Sequence, residues 1–138
     1  MGKRTTLVDI SGMWRGVYSY PTLPRPEHFV AHLSDIGGTF DGTITETVRL
    51  TRPAPVDVRA LVSGSHVAGQ VRFTKTYDGT AGWTHSVSYT GHLNADSTEI
   101  AGEWVLQFMR GTFLMVRDRP NKAEAEMETA IEGLGGKA

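Results

Sequence analysis

Eight short segments of this 138-residue chain alternate apolar with polar residues, and glycines recur beside aromatic residues along them. The clearest are Gly12-Met13-Trp14-Arg15-Gly16, Gly69-Gln70-Val71-Arg72-Phe73, Tyr89-Thr90-Gly91 and Ile100-Ala101-Gly102-Glu103-Trp104. A strand turns successive side chains to opposite faces, so period-two alternation buries one face and wets the other. A run of such strands joined by short turns specifies an all-β, eight-stranded antiparallel up-and-down barrel. A barrel of that size fills its interior with side chains or holds one small ligand.

The spacing predicts strands over residues 10–20, 27–34, 39–48, 57–64, 69–77, 83–93, 99–107 and 111–117. Pro21, Pro24 and Pro26 end the first, because proline cannot donate to a ladder. Asp35-Ile36-Gly37-Gly38 and Asp78-Gly79-Thr80-Ala81-Gly82 read as turns. Residues 1–119 therefore form the barrel domain and 120–138 a C-terminal helix and tail. Ala123, Met127, Ala130 and Ile131 share one helical face there, and Gly133, Gly135 and Gly136 end it.

The net charge of -1 and the lack of a basic stripe argue against nucleic acid as a partner. No apolar run is long enough for a membrane helix, so no membrane partner is expected. The basic start, Met1 to Thr6, precedes no apolar stretch, and the expectation is a cytoplasmic protein. There is no cysteine, which excludes disulfides and thiolate metal sites. His28 and His32 lie roughly 13 Å apart on a strand, His66 falls in a turn, and His85 and His92 have opposite parity; no metal or cofactor is expected. No Gly-x-Ser-x-Gly elbow and no phosphate-binding loop is present.

Parity sorts the strand residues. Trp14, Gly16, Tyr18 and Tyr20 share one face, as do Phe29, Ala31 and Leu33, and Phe40, Gly42, Ile44 and Glu46. Val71, Phe73, Lys75 and Tyr77 share another, followed by Trp83, His85, Val87 and Tyr89. Three polar groups thus carry inward parity: Glu46, Lys75 and His85. Each must be paired, solvated at a barrel end, or used on a ligand, because an unpaired buried charge is costly. Strands seven and eight are apolar on both faces, with Trp104 and Leu106 flanking Val105, and Phe113 and Met115 alternating with Leu114 and Val116. That pattern predicts a covered outer face and a homo-oligomer built through these strands.

The ordered set of motifs resembles the avidin/streptavidin barrel family, over about residues 11–118. Gly12-Met13-Trp14 matches its Gly-x-Trp, and Gly42-Thr43-Ile44 resembles its Gly-x-aromatic stretch. Val62-Ser63-Gly64, Val71-Arg72-Phe73 with Tyr77, His85-Ser86, Tyr89-Thr90-Gly91 and Ile100 to Val105 follow in family order. The resemblance implies an aromatic-walled cavity, with Phe73, Tyr89 and Trp104 as walls. It does not imply biotin. Places the family uses for the ureido group read Gly16, Tyr20, Ile44 and Glu46 here, and His85 and Val87 stand where a Ser and a Thr meet the thioether and tail. Asp118 matches the family's final Asp.

The primary reading is a binding protein for an unidentified small organic ligand, not biotin. Trp14, Tyr18, Tyr20, Glu46, Phe73, Lys75, His85, Tyr89, Trp104 and Asp118 are the candidate contacts. Glu46 in place of a hydroxyl points to a ligand with a cationic or donor-rich group. The second reading is an interaction module whose barrel is packed solid. The third is a small isomerase or cyclase using His85 or Glu46 as a general base.

Overall fold

The computed structural model describes residues 8–48 and 56–118. The strands are β1 (Gly12–Ser19), β2 (Glu27–Ile36), β3 (Thr39–Val48), β4 (Val56–Val67), β5 (Gln70–Tyr77), β6 (Ser86–Leu93), β7 (Glu99–Leu106) and β8 (Met109–Val116). They form a closed barrel in sequence order. Every pair is antiparallel, and β8 returns to β1 with Arg15 opposite Val116 and Ser19 opposite Thr112. Closure leaves no unpaired sheet edge. The predicted C-terminal helix lies outside the described residues.

Turn chemistry sets the strand ends. Gly37 and Gly38 both have positive φ, 62° and 95°, as a two-residue hairpin turn requires. Ala68 and Gly69 make the next such turn, at φ 52° and 84°. The sequence reading placed this turn at residues 65–68 and ended β4 too early. Ser65 and His66 look like turn residues, yet they continue the ladder opposite Arg72 and Val71. The same kind of error fell on β8, whose turn is Gln107-Phe108 with Gln107 at φ 54°. No glycine or proline marks it. In contrast, β6 begins at Ser86, and residues 78–85 form a loop with a 3-10 turn over Thr80–Gly82.

One end of the barrel is sealed. Trp14 is fully buried there, and its indole nitrogen donates to the Ile10 carbonyl at 2.9 Å. The Arg117 guanidinium lies 4.5 Å from the Trp14 ring. It donates to the carbonyls of Ser97 (2.8 Å), Ser11 (3.3 Å) and Asp9 (3.2 Å), tying β8 to the segment before β1. Asp35 accepts from the Ile10 backbone at 3.0 Å and lies 2.6 Å from His66 Nε2, so β2 and β4 hold the same segment. His66 is therefore a buried member of β4 and not an exposed turn residue. Above this seal, the space bounded by Leu33, Phe40, Ile44, Val62, Phe73 and Met115 has no room for a water molecule. Each large apolar side chain buried in this way contributes about 1.5–3 kcal/mol.

Candidate functional site

The other end, the mouth, is framed among the described residues by the β1–β2, β5–β6 and β7–β8 connections. Just inside it the interior changes from apolar to polar. The outcome follows from parity alone: Tyr18 on β1, Glu46 on β3, Lys75 and Tyr77 on β5, and Tyr89 on β6 all occupy inward positions and are buried.

Lys75 Nζ donates to Glu46 Oε2 at 2.6 Å. The Tyr18 hydroxyl donates to Oε1 at 2.8 Å, and the Tyr77 hydroxyl lies 2.9 Å from both carboxylate oxygens. Neither charged side chain is more than 1% exposed. The ammonium also sits over aromatic faces, 4.5 Å from the Tyr18 ring centre, 4.8 Å from Tyr77 and 5.2 Å from Tyr89. Ring faces attract cations, most strongly where water is excluded. Among the described residues no buried side-chain nitrogen or oxygen lacks a hydrogen-bond partner. Of the environments open to Glu46 and Lys75 from the sequence, the structure shows the mutual pair. Glu46 therefore already holds a cation, the one supplied by β5.

Burial dominates the electrostatics. Desolvation pushes the Tyr18, Tyr77 and Tyr89 hydroxyls well above their ordinary range, and the Glu46 charge pushes the same way. Tyr20 is raised too, again chiefly by burial. Desolvation lowers the Lys75 ammonium, while Glu46 opposes that shift. The same cause, followed by the Lys75 charge, lowers His85.

A second ring of groups covers this pair. Trp104 packs edge-on to Tyr20 and Tyr18 at 5.1 and 6.2 Å, and its indole nitrogen donates to the Ser19 carbonyl at 3.1 Å. Trp83 and His85 rest on Tyr77, at 4.9 and 4.7 Å between centroids. Both belong to the β5–β6 loop. His85 is exposed, so it is a rim residue and not the inward wall residue its parity suggested. Beside the rim, a cleft of about 620 Å³ is bounded by Leu23, Arg25, Glu27, His28 and Thr47 among others.

Seven of the sequence candidates gather at or near the mouth: Tyr18, Tyr20, Glu46, Lys75, His85, Tyr89 and Trp104. Phe73 lies one layer deeper, stacked on Tyr89 at 4.6 Å. Trp14 is at the sealed end, removed from the others. Asp118 is outside the barrel, paired with Arg15 at 3.0 Å and 82% exposed. It is a surface residue because β8 stops at Val116, which places position 118 beyond the sealed end. Tyr77 is the functional candidate that sequence reasoning passed over. Its signal was present, since it stands two residues from Lys75 on the same face. Trp83 carried inward parity as well, although it reaches Tyr77 from a loop.

Among the described residues no group of three or more His, Asp or Glu side chains converges on a metal site. None of their helices is long and apolar enough to cross a membrane. No protein-family model matches the chain, and a search of curated proteins finds no significant match.

Proposed function

We propose that this barrel is a binding protein for a small organic molecule, taken at the mouth and oriented by Glu46 and Lys75. The observation that carries this reading is the buried Glu46–Lys75 pair, ringed by Tyr18, Tyr77 and Tyr89 directly beneath the mouth. Apolar residues of similar volume would hold a barrel together as well as a buried ion pair does. Strongly shifted groups gathered in one place are a mark of functional sites. Tyr20, Trp83 and Trp104 supply the flat apolar surface that a ligand body needs. The sequence resemblance to avidin and streptavidin supports this reading through the aromatic wall it implies, Phe73, Tyr89 and Trp104. The ligand of this reading is not biotin, because Gly16, Tyr20, Ile44 and Glu46 stand where the resemblance would place the groups that hold a ureido.

A packed interaction module is the second reading, favoured by the tight packing between Leu33, Phe40, Phe73 and Met115 and by Phe108 and Met109, exposed at the β7–β8 hairpin tip. The outer faces of β7 and β8 would join copies of the chain, with Val105 exposed and Leu114 and Val116 half-buried. A cytoplasmic location fits a chain that contains no cysteine.

Native mass spectrometry on protein taken directly from cells tests both readings. The expected spectrum carries a small molecule, released on denaturation, at one per barrel. An empty protein that also gives no mass shift with a panel of metabolites, yet remains oligomeric, moves the function to the outer face.

A further inference from the structure

The identity of the charges inside the mouth limits what can bind there. A ligand ammonium at Glu46 would set a second cation beside Lys75 Nζ, which lies 2.6 Å from the carboxylate. A ligand carboxylate at Lys75 would set a second anion beside Glu46. Either would leave an unbalanced charge in a site from which water is excluded, at high cost. A neutral ligand avoids both outcomes, and among neutral ligands a carbonyl compound can also join the amine itself. Nζ then carries one positive charge before and after, opposite the same carboxylate and inside the same three tyrosine rings.

Resting on the mouth-binding reading, we propose that Lys75 is a covalent attachment point. It holds a small aldehyde with a flat apolar body as a protonated imine, with Glu46 as counter-ion. The neutral amine attacks the carbonyl carbon, forming the C–N bond while the carbonyl electron pair passes to oxygen. Loss of water from the carbinolamine then gives the C=N bond. The ammonium begins with three hydrogens and ends with one; the other two leave with the carbonyl oxygen as water. No oxidant or reductant takes part. Glu46 and the Tyr18 and Tyr77 hydroxyls, each of which lies within 2.9 Å of the Glu46 carboxylate, are placed to pass those protons. Burial also favours the neutral form of Lys75, the form that attacks.

The ligand body extends toward the mouth, because the space below the pair, bounded by Phe40, Ile44, Val62 and Phe73, has no room for a water molecule. Its way in is through the rim. Tyr20 and Trp83 are half-buried and His85 is exposed. The loop bearing Trp83 and His85 is held by backbone bonds from Tyr77 to the His85 carbonyl (3.0 Å) and from Asp78 to the Arg59 carbonyl (3.0 Å). Ala81 within it has a positive φ of 58°, a costly conformation for a residue with a Cβ. Gly79 N–H also donates to the Trp83 carbonyl at 2.8 Å, and entry to the pair requires this loop to move off Tyr77, on which Trp83 and His85 rest.

The test uses the full chain with equimolar benzaldehyde and cyanoborohydride, which fixes imines as stable amines. The chain has three other lysines, Lys3, Lys122 and Lys137, and peptide mapping separates all of them. The expected result is more label on Lys75 than on any other lysine in the folded protein, with that preference lost in urea. Label on Lys3, Lys122 or Lys137 exceeding that on Lys75 overturns the proposal. Benzyl alcohol, which has no carbonyl, separates the two ideas through the fluorescence of Trp83 and Trp104. Saturable quenching without Lys75 labelling removes the imine and leaves the mouth site standing. Neither quenching nor labelling removes both.

Discussion

Glu46 shows how one residue can carry most of the cost of a site. It accepts from Lys75, Tyr18 and Tyr77 with almost no exposure to water. Changing it alone to glutamine leaves a buried ammonium facing a neutral amide. Glu46→Gln is expected to cost about 3–5 kcal/mol, the range for breaking a buried pair. The double variant Glu46→Gln/Lys75→Met removes both charges and keeps an acceptor for the tyrosine hydroxyls. It is expected to match the wild type or exceed its stability by about 1–4 kcal/mol, and to lose ligand binding. Urea unfolding of the two variants checks this. A single variant as stable as the wild type would show that the pair contributes nothing to the fold. The pairing itself was not legible from sequence: parity placed both groups inside, but the distance between β3 and β5 side chains depends on barrel diameter and strand tilt.

At the level of elements, the seam between β8 and β1 decides whether the sheet closes. Gly111 stands there opposite Trp104. A Cβ at this position would come within 2.0 Å of the Ser19 carbonyl oxygen and 2.6 Å of the Trp104 ring. The oxygen belongs to backbone and cannot swing away. Gly111→Ala is therefore expected to destabilise by about 1–3 kcal/mol, read as a lower urea midpoint with unchanged m-value. An unchanged midpoint would mean that the seam yields without strain. Strand boundaries were legible where glycine or proline punctuates them, as at Pro21 and Gly37-Gly38. They were misplaced where Ala68 and Gln107 take the positive φ that glycine usually supplies. The turn at 78–82 was legible, but residues 83–85 were misread as strand because Trp83 and His85 continue the alternation of β6 while their backbone has left the ladder.

Across the whole molecule, alkaline pH acts on all the tyrosines together. The chain has four, and burial raises the hydroxyl pKa of each. A group whose folded pKa lies above its unfolded value, ordinarily about 10, contributes its full stability below that pH. The contribution is lost as pH rises from there toward the folded values. Lys75 acts in the opposite sense, since its lowered pKa makes the fold gain stability as pH rises toward the unfolded value. The tyrosines outnumber it and should dominate above pH about 10. The expected outcome is that phenolate absorbance stays silent through the ordinary tyrosine range and appears in step with unfolding by circular dichroism. Phenolate signal from a still-folded protein would place the tyrosines in water and dissolve the proposed site.

Sequence alone determined the eight-stranded antiparallel order, most strand positions, and the inward set that includes Glu46, Lys75, Tyr77 and Tyr89. It could do so because side-chain alternation is a local property of extended chain, and short connections force neighbours to pair. Only the tertiary structure decided which inward residues meet. Trp14 went to the sealed end beneath Arg117, Asp118 went outside to Arg15, and Asp35 found His66 across 31 positions. Closure also joined Lys75 to Glu46 across 29 positions. Parity states which way a side chain points. The curvature, stagger and depth of the closed sheet set what it reaches, and those belong to all eight strands at once.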